Sequence, residues 1–133
     1  MTPNILIVDD DEEILELSKL ILEFEGYNVD TAVCGKEAIE KAIKNDYYLA
    51  LLDFILPDIK GTEIASTLYE KKRIHKVIFV TGYSYIFDFI DPKIRDRCKV
   101  ILKPVSRDTL NKSVREAFEP VDMIGASELV TEN

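Results

Sequence analysis

Five side chains able to do chemistry stand directly after apolar runs. Asp9 and Asp10 follow residues 5–8, Asp53 follows residues 49–52, Thr81 follows residues 77–80, and Lys103 follows residues 100–102. Brought together, the three carboxylates repel one another, because a nearby like charge raises the free energy of the ionised state. One ammonium cannot neutralise three acids. A hard divalent cation offsets the surplus, and Mg²⁺ is usually held by a few carboxylates with waters and phosphoryl oxygens. With a phosphoryl group present, the cation, the Lys103 ammonium and the Thr81 hydroxyl can all face its oxygens, which is what phosphoryl transfer demands. One carboxylate then acts as the nucleophile and becomes an aspartyl phosphate.

Such convergence requires the four apolar runs to be neighbouring strands. Runs without alternation suit strands buried on both faces of a parallel sheet. In such sheets ligands gather at the carboxyl ends of the strands. Between the first two strands, Ile14, Leu17, Ile21 and Phe24 recur at helical spacing behind Asp11, Glu12 and Glu13, acids that suit a helix N-terminus, and Gly26 reads as the stop. Residues 27–32 predict a second, edge-like strand. Ala38, Ile39, Ala42 and Ile43 mark a second helix closing near Asn45, and residues 48–52 the third strand. Pro57 and Gly61 bracket a turn before a third helix with Ile64, Ala65 and Leu68 on its apolar face. Asp91-Pro92 interrupts the aromatic stretch Tyr83, Tyr85, Phe87 and Phe89, so the helix after the fourth strand is expected to be short or irregular. A fifth strand and a last helix with Leu110, Val114 and Phe118 complete five strand–helix units. Right-handed crossovers between them give a doubly wound α/β sheet with helices on both faces.

Each feature alone has a plainer explanation. An Asp-Asp pair after a strand is a common helix cap, Asp53 an ordinary loop acid, Thr81-Gly82 a routine turn and Lys103-Pro104 a solvated strand end. Taken together, that explanation needs a separate coincidence at four strand ends. The sole histidine, His75, stands beside basic residues and reads as a solvated loop residue. Cys34 and Cys98 read as buried small apolar residues, and residues 71–73, all basic, as favourable charge at a helix C-terminus.

The 133 residues suffice for one domain with its own core and leave no room for a second. With 25 acidic against 17 basic residues the formal charge is −8, which disfavours direct contact with nucleic acid or an anionic membrane surface. Two distant cysteines, no apolar stretch long enough to span a bilayer and no leader before the first strand lead to the expectation of a reduced, cytoplasmic setting. Residues 1–119 are expected to form the domain, and residues 120–133, opening on Pro120, a tail or linker stub.

Ile7-Val8-Asp9-Asp10, Asp53-Phe54-Ile55-Leu56-Pro57 followed by Gly61, Thr81-Gly82 and Lys103-Pro104 together resemble the receiver domain of two-component response regulators, over about residues 4–118. The resemblance implies a flavodoxin-like fold with five parallel strands in the order 2-1-3-4-5. It implies that Asp53 is the phosphoacceptor, served by the phosphohistidine of a sensor histidine kinase or phosphotransfer protein. By the same resemblance, Asp10, Asp53 and the backbone carbonyl of Ile55 bind Mg²⁺ directly, Asp9 acts mainly through a water, and Thr81 and Lys103 contact the phosphoryl group. The chain would then be a signalling switch that assists its own phosphorylation and dephosphorylation, not an enzyme. Its downstream partner would read the face near residues 83–89, Val100 and the last helix, and phosphorylation could drive homodimerisation.

One position departs from the family pattern, and two more bear on the lifetime of the phosphoryl group. Three residues before the lysine the family usually carries a tyrosine or phenylalanine whose ring swings inward; here Val100 stands, which directs attention to the Thr81 loop and the aromatic stretch instead. The residues two beyond Asp53 and two beyond Thr81 flank the approach of hydrolytic water in the family. Here they are Ile55 and Tyr83, neither suited to orient water, which implies slow dephosphorylation. Other readings fit less well. A haloacid-dehalogenase-like phosphatase shares the strand-terminal aspartate, the lysine and Mg²⁺, but needs a second acid where Ile55 stands. A flavin- or nucleotide-binding domain needs a Gly- or Ser/Thr-rich phosphate loop after the first strand, and Asp9-Asp10-Asp11 is its opposite. A receiver that had lost its phosphorylation would lack part of the acid, threonine and lysine set, which is complete here.

Overall fold

The computed structural model describes residues 4–119; the expected tail at 120–133 lies outside the described residues. Strands β1 (Asn4–Val8), β2 (Asn28–Ala32), β3 (Leu49–Leu52), β4 (Lys76–Thr81) and β5 (Cys98–Leu102) form one parallel sheet in the order β2-β1-β3-β4-β5. Helices α1 (Glu12–Phe24), α2 (Gly35–Lys44), α3 (Gly61–Glu70) and α4 (Arg107–Ala117) connect or follow the strands. Between β4 and β5 the chain makes two short 3-10 helices, Ser84–Phe89 and Pro92–Arg97, with Asp91 capping the second through the Lys93 N–H. The expected interruption at Asp91-Pro92 is thus the point where helical structure breaks and restarts.

Alternation along each strand divides the core into two layers. Leu6, Val8, Ala50, Leu52, Val77 and Phe79 pack with α2, α3 and the 3-10 helices. Ile5, Ile7, Leu49, Leu51 and Ile78 pack with Leu15 and Leu22 of α1 and Leu110 and Val114 of α4. Each fully buried side chain of this size contributes about 1.5–3 kcal/mol relative to exposure. Burial on both faces is therefore what makes the strands apolar throughout.

The buried face of α1 differs from the expected one. Leu15 and Leu22 are buried, with Ile14 and Ile21 on the flank, whereas Leu17 is 60% and Phe24 87% exposed. The helix carries apolar residues around much of its circumference, so the 14/17/21/24 and 15/22 spacings satisfy a 3.6-residue period equally well. The sheet selects the second. On α2, Ala38 and Ala42 are buried and Ile43 is 52% exposed. The basic run at residues 71–73 falls beyond the last turn of α3 rather than within it: Lys71 is the C-cap, Lys72 takes φ 59°, and Arg73 pairs with Asp46 at 2.7 Å. His75 is exposed, as expected, and stacks on Tyr48.

The loop that leaves β3 is anchored at two points. The Gly61 N–H donates to the Phe54 carbonyl at 2.8 Å, and a Cβ at position 61 would lie 2.0 Å from the Asp53 carbonyl oxygen. Only glycine allows α3 to begin this close to Asp53. Farther along, the Asp58 carboxylate accepts the Gly35 and Lys36 N–H groups at 2.8 Å each and the Ile59 N–H at 2.9 Å. It thereby caps α2 from a different segment of the chain.

Those backbone donors, Gly35 first, hold the Asp58 carboxyl below its ordinary value. A folded-state pKa below the unfolded one, about 3.9 for Asp, gives stability that is present above the unfolded pKa and lost as pH falls through the folded pKa. Asp58→Asn is accordingly expected to lower the urea midpoint clearly at pH 7, with the gap to the unsubstituted protein narrowing below about pH 4. Urea titrations at pH 7 and pH 3 check this; a gap of equal size at both pH values would refute the charge-based anchor.

Candidate functional site

The parallel register decides which residues meet. Val8 pairs with Leu52, Leu52 with Phe79 and Thr81 with Leu102, so the residues after β1, β3 and β5 emerge along one edge of the sheet. Backbone bonds continue the ladder past the strands: Asp53 N–H donates to the Val8 carbonyl at 3.0 Å and Lys103 N–H to the Thr81 carbonyl at 2.8 Å. Lys103 precedes Pro104 through a cis peptide bond.

The Lys103 ammonium bridges two carboxylates, with Nζ 2.8 Å from Asp9 Oδ2 and 3.0 Å from Asp53 Oδ2. Burial acts against the charged ammonium, but hydrogen bonds and charge from Asp9 and Asp53 outweigh it and raise its pKa above the ordinary lysine value. The other oxygen of each acid is also engaged. Asp9 Oδ1 accepts the Asp11 N–H at 2.9 Å, and Asp53 Oδ1 accepts the Phe54 N–H at 2.7 Å. Asp9 is buried, Asp53 half-buried and Asp10 exposed, and each offers a carboxylate oxygen within 4.8 Å of the other two. Three negative charges thus face one positive charge in a set of hard oxygen donors open to solvent at Asp10. This donor chemistry fits a divalent cation of the Mg²⁺ class.

Thr81 is the last residue of β4 and is fully buried, its Oγ1 accepting the Tyr83 N–H at 3.3 Å. Asp9, Asp10, Asp53 and Lys103 therefore form one cluster, and Thr81 joins it through the backbone of Lys103. Ile55 lies two residues beyond Asp53 with its side chain 40% exposed, so an apolar group occupies the position where a hydrolase would need its second acid. Val100 is half-buried against the core layer of α2 and α3. Cys34 and Cys98 are half-buried rather than buried, and burial pushes the Cys98 thiol up to about 12, which leaves it unreactive.

Sequence reasoning did not single out Phe54. Its backbone holds the Asp53 carboxylate, and its ring, 2% exposed, lies beneath Tyr83, Tyr85 and Phe89 with centroid separations of 6.0, 6.3 and 5.4 Å. The interspersed aromatics at 83–89 were visible in sequence, but that they close around the residue after Asp53 follows only from the β3–β4 pairing. On the other side of the site a cavity of about 410 Å³ between α1 and α4 reaches Asp9, Asp53 and Lys103, with Ile14, Leu17 and Leu110 among its apolar walls.

Among the described residues no helix is long and apolar enough to cross a membrane. Residues 5–115 match the response regulator receiver domain family. The chain is 34% identical to the response regulator ArlR of Staphylococcus saprophyticus over 84% of its own length and 50% of that protein's. It is 28% identical to the response regulator SaeR of Staphylococcus aureus over 98% of its own length and 60% of that protein's. It thus spans little more than half of these curated relatives. A CheY-like receiver domain protein from Methanospirillum hungatei superposes with a TM-score of 0.79 at 37% identity, covering 87% of this chain and 93% of that one. The response regulator TrrA of Thermotoga maritima, solved in complex with Mg²⁺ and BeF, gives 0.77 at 35% identity, covering 88% and 100%. With the strand order, the acidic cluster and the bridging lysine already in place, these matches establish that the chain belongs to the response regulator receiver domain family, the phosphorylation-dependent switches of two-component systems.

Proposed function

We propose that Asp53 accepts a phosphoryl group from the phosphohistidine of a sensor histidine kinase or phosphotransfer protein, beside a Mg²⁺ ion held by Asp9, Asp10 and Asp53. The observation that carries this reading is the Lys103 ammonium shared between Asp9 and Asp53 at 2.8 and 3.0 Å, which leaves the site with surplus negative charge and a solvent-facing carboxylate at Asp10. Asp10, Asp53 and the Ile55 carbonyl are the direct ligands on this reading, and Asp9 acts through a water. Bound Mg²⁺ supplies Lewis-acid polarisation of the phosphoryl oxygens and offsets charge as it accumulates. A likeness to TrrA, which was solved with Mg²⁺ and BeF, supports the assignment.

The chemistry of the chain's own residues follows from their placement. A carboxylate oxygen of Asp53 forms the new P–O bond while the bond from phosphorus to the donor's leaving group breaks, that electron pair departing with the donor. Lys103 gives up its contact with Asp53 Oδ2 and follows the charge to a phosphoryl oxygen. The Thr81 hydroxyl donates to another. Ile55, two residues beyond Asp53, offers no acid or base to drive repeated turnover, so the product is a persistent signal rather than a released phosphate. Leu17, Leu20 and Phe24, exposed on one side of α1 beside the cavity that reaches Asp53, offer an apolar landing for the donor protein. The downstream partner reads the opposite flank, at residues 83–89, Val100 and α4.

Acetyl phosphate with Mg²⁺ is expected to add one phosphoryl mass to the intact protein, and the gain should disappear in Asp53→Asn or when EDTA removes the metal. A gain that survives either change would overturn the assignment. Ile55→Asn, which places a water-binding amide beside the acyl phosphate, is expected to shorten its half-life severalfold at unchanged mass gain, read as the decay of the phosphorylated species after the donor is removed.

A further inference from the structure

We propose that the cavity beneath α1 is a binding site for a small amphipathic amine, its apolar body under the helix and its ammonium at the acidic cluster, and that its occupancy excludes Mg²⁺ from the cluster. The inhibition that follows rests on Asp53 being the phosphoacceptor; the binding itself does not. The cavity measures about 410 Å³, with Ile7 and Leu51 on the sheet, Ile14 and Ile21 on α1, and Val105 and Leu110 toward α4. That volume falls in the range of small-ligand sites, about 300–1,000 Å³. It far exceeds what a cation and a phosphoryl group fill, so phosphorylation leaves most of the space without a use.

The sequence of α1 accounts for the space. Leu15 and Leu22 face the sheet and are buried, and Ser18 stands between them on the same stripe, at the three- and four-residue spacing of helix neighbours. A serine is too short to fill a position flanked by two buried leucines. A gap is left under the middle of the helix. Leu17 lines the same cavity and is 60% exposed, so the gap opens to solvent along α1 and a ligand has a way in.

The lining is divided in polarity. Apart from Ser18, its polar side chains are Asp9, Asp53 and Lys103, which touch at 2.8 and 3.0 Å and therefore sit together at one end. The remaining side chains of the wall are apolar, and water gains little by filling a space they line, so an apolar group is favoured there. The other end calls for a cation. Asp10 lies close to Asp9 and Asp53, and three carboxylates against one ammonium leave two negative charges. A second ammonium is attracted by that surplus and donates charge-assisted hydrogen bonds to the carboxylate oxygens, whereas a carboxylate in its place is repelled. A divalent cation would use the same oxygens. Amine and Mg²⁺ therefore compete, and the amine-bound protein is held unphosphorylated.

Phenylbutylamine, with phenylbutanol and phenylbutyrate as its neutral and anionic counterparts, tests this by isothermal titration calorimetry in metal-free buffer. The amine is expected to bind saturably, the alcohol about tenfold more weakly and the carboxylate not at all. Added Mg²⁺ should raise the apparent Kd of the amine, and the amine should slow the mass gain with acetyl phosphate and Mg²⁺. Ser18→Leu, which fills the gap from α1, and Val105→Phe, which fills it from the other side, should each remove amine binding while the mass gain persists and no longer responds to the amine. Where a variant fails to fold, the three probes decide the matter in the unsubstituted protein. No saturable binding, equal binding of amine and alcohol, or amine binding undiminished in both variants would overturn the site; an amine Kd indifferent to Mg²⁺ would overturn the exclusion. Amine binding as expected with no mass gain in the unsubstituted protein would leave the site standing and overturn the phosphoacceptor assignment.

Discussion

Lys103 is the constraint on which the site depends. Its ammonium holds Asp9 and Asp53 together from the last strand of the sheet, and the two acids come from β1 and β3. Three strands must be in register for that contact to exist. Loss of one partner from a buried pair typically costs about 3–5 kcal/mol, because the remaining charge is left uncompensated. Here the cost of losing the lysine would fall on two acids at once. Yet the ammonium balances only one of three charges, with Asp10 close by, so the unmodified site is stable but electrostatically unfinished. That surplus of hard oxygen donors is what a divalent cation of the Mg²⁺ class would offset.

Rigidity around Asp53 comes from the neighbouring loop rather than from the carboxylate itself. Gly61 permits the start of α3 to touch the Asp53 carbonyl, and Asp58 ties the middle of the same loop to the N-terminus of α2. The Asp53 backbone is thereby fixed beside an anchored loop. Across the sheet edge the situation differs. Thr81 is buried and held by β4, but the chain beyond it runs through two 3-10 helices instead of a regular α-helix. Stiffness on the Asp53 side and compliance on the Thr81 side suit a module that must hold a reactive group still while letting a surface respond.

Much of this was legible in the sequence. Unalternating apolar runs identified the buried parallel strands, and the chemical residue after each run named the site, because in a parallel sheet all strand ends of one polarity share one edge. The break at Asp91-Pro92 was equally legible, since proline and the residue before it disfavour continued helix. What the sequence left open depends on packing. The face of α1 that is buried could not be chosen from period alone when apolar residues surround the helix, and Leu17 and Phe24 proved exposed where Leu15 and Leu22 are buried. Asp58 was not singled out in the sequence, because its partners Gly35 and Lys36 lie more than twenty positions earlier in the chain. Phe54 was not singled out for the same kind of reason, since the rings that pack on it lie about thirty positions later.

The exposed α1 residues and the exposed aromatics are two different departures from the usual economy of a small soluble domain. Both leave large apolar groups in water, yet they flank the same acidic cluster from opposite sides of the sheet. On α1 the exposed side chains project from a regular helix capped by the Asp11 carboxylate and packed through Leu15 and Leu22, so their positions are set before any partner arrives. At residues 83–89 they project from short, weakly bonded turns whose leading residue, Tyr83, donates its N–H to Thr81 Oγ1. A preformed surface favours recognition that must be independent of the protein's state, as a donor's must be, since it meets the unphosphorylated form. A surface coupled to the site favours recognition that depends on that state. The difference between the two flanks therefore follows from secondary structure: the α-helix fixes its exposed side chains in place, and the 3-10 segment leaves its own compliant.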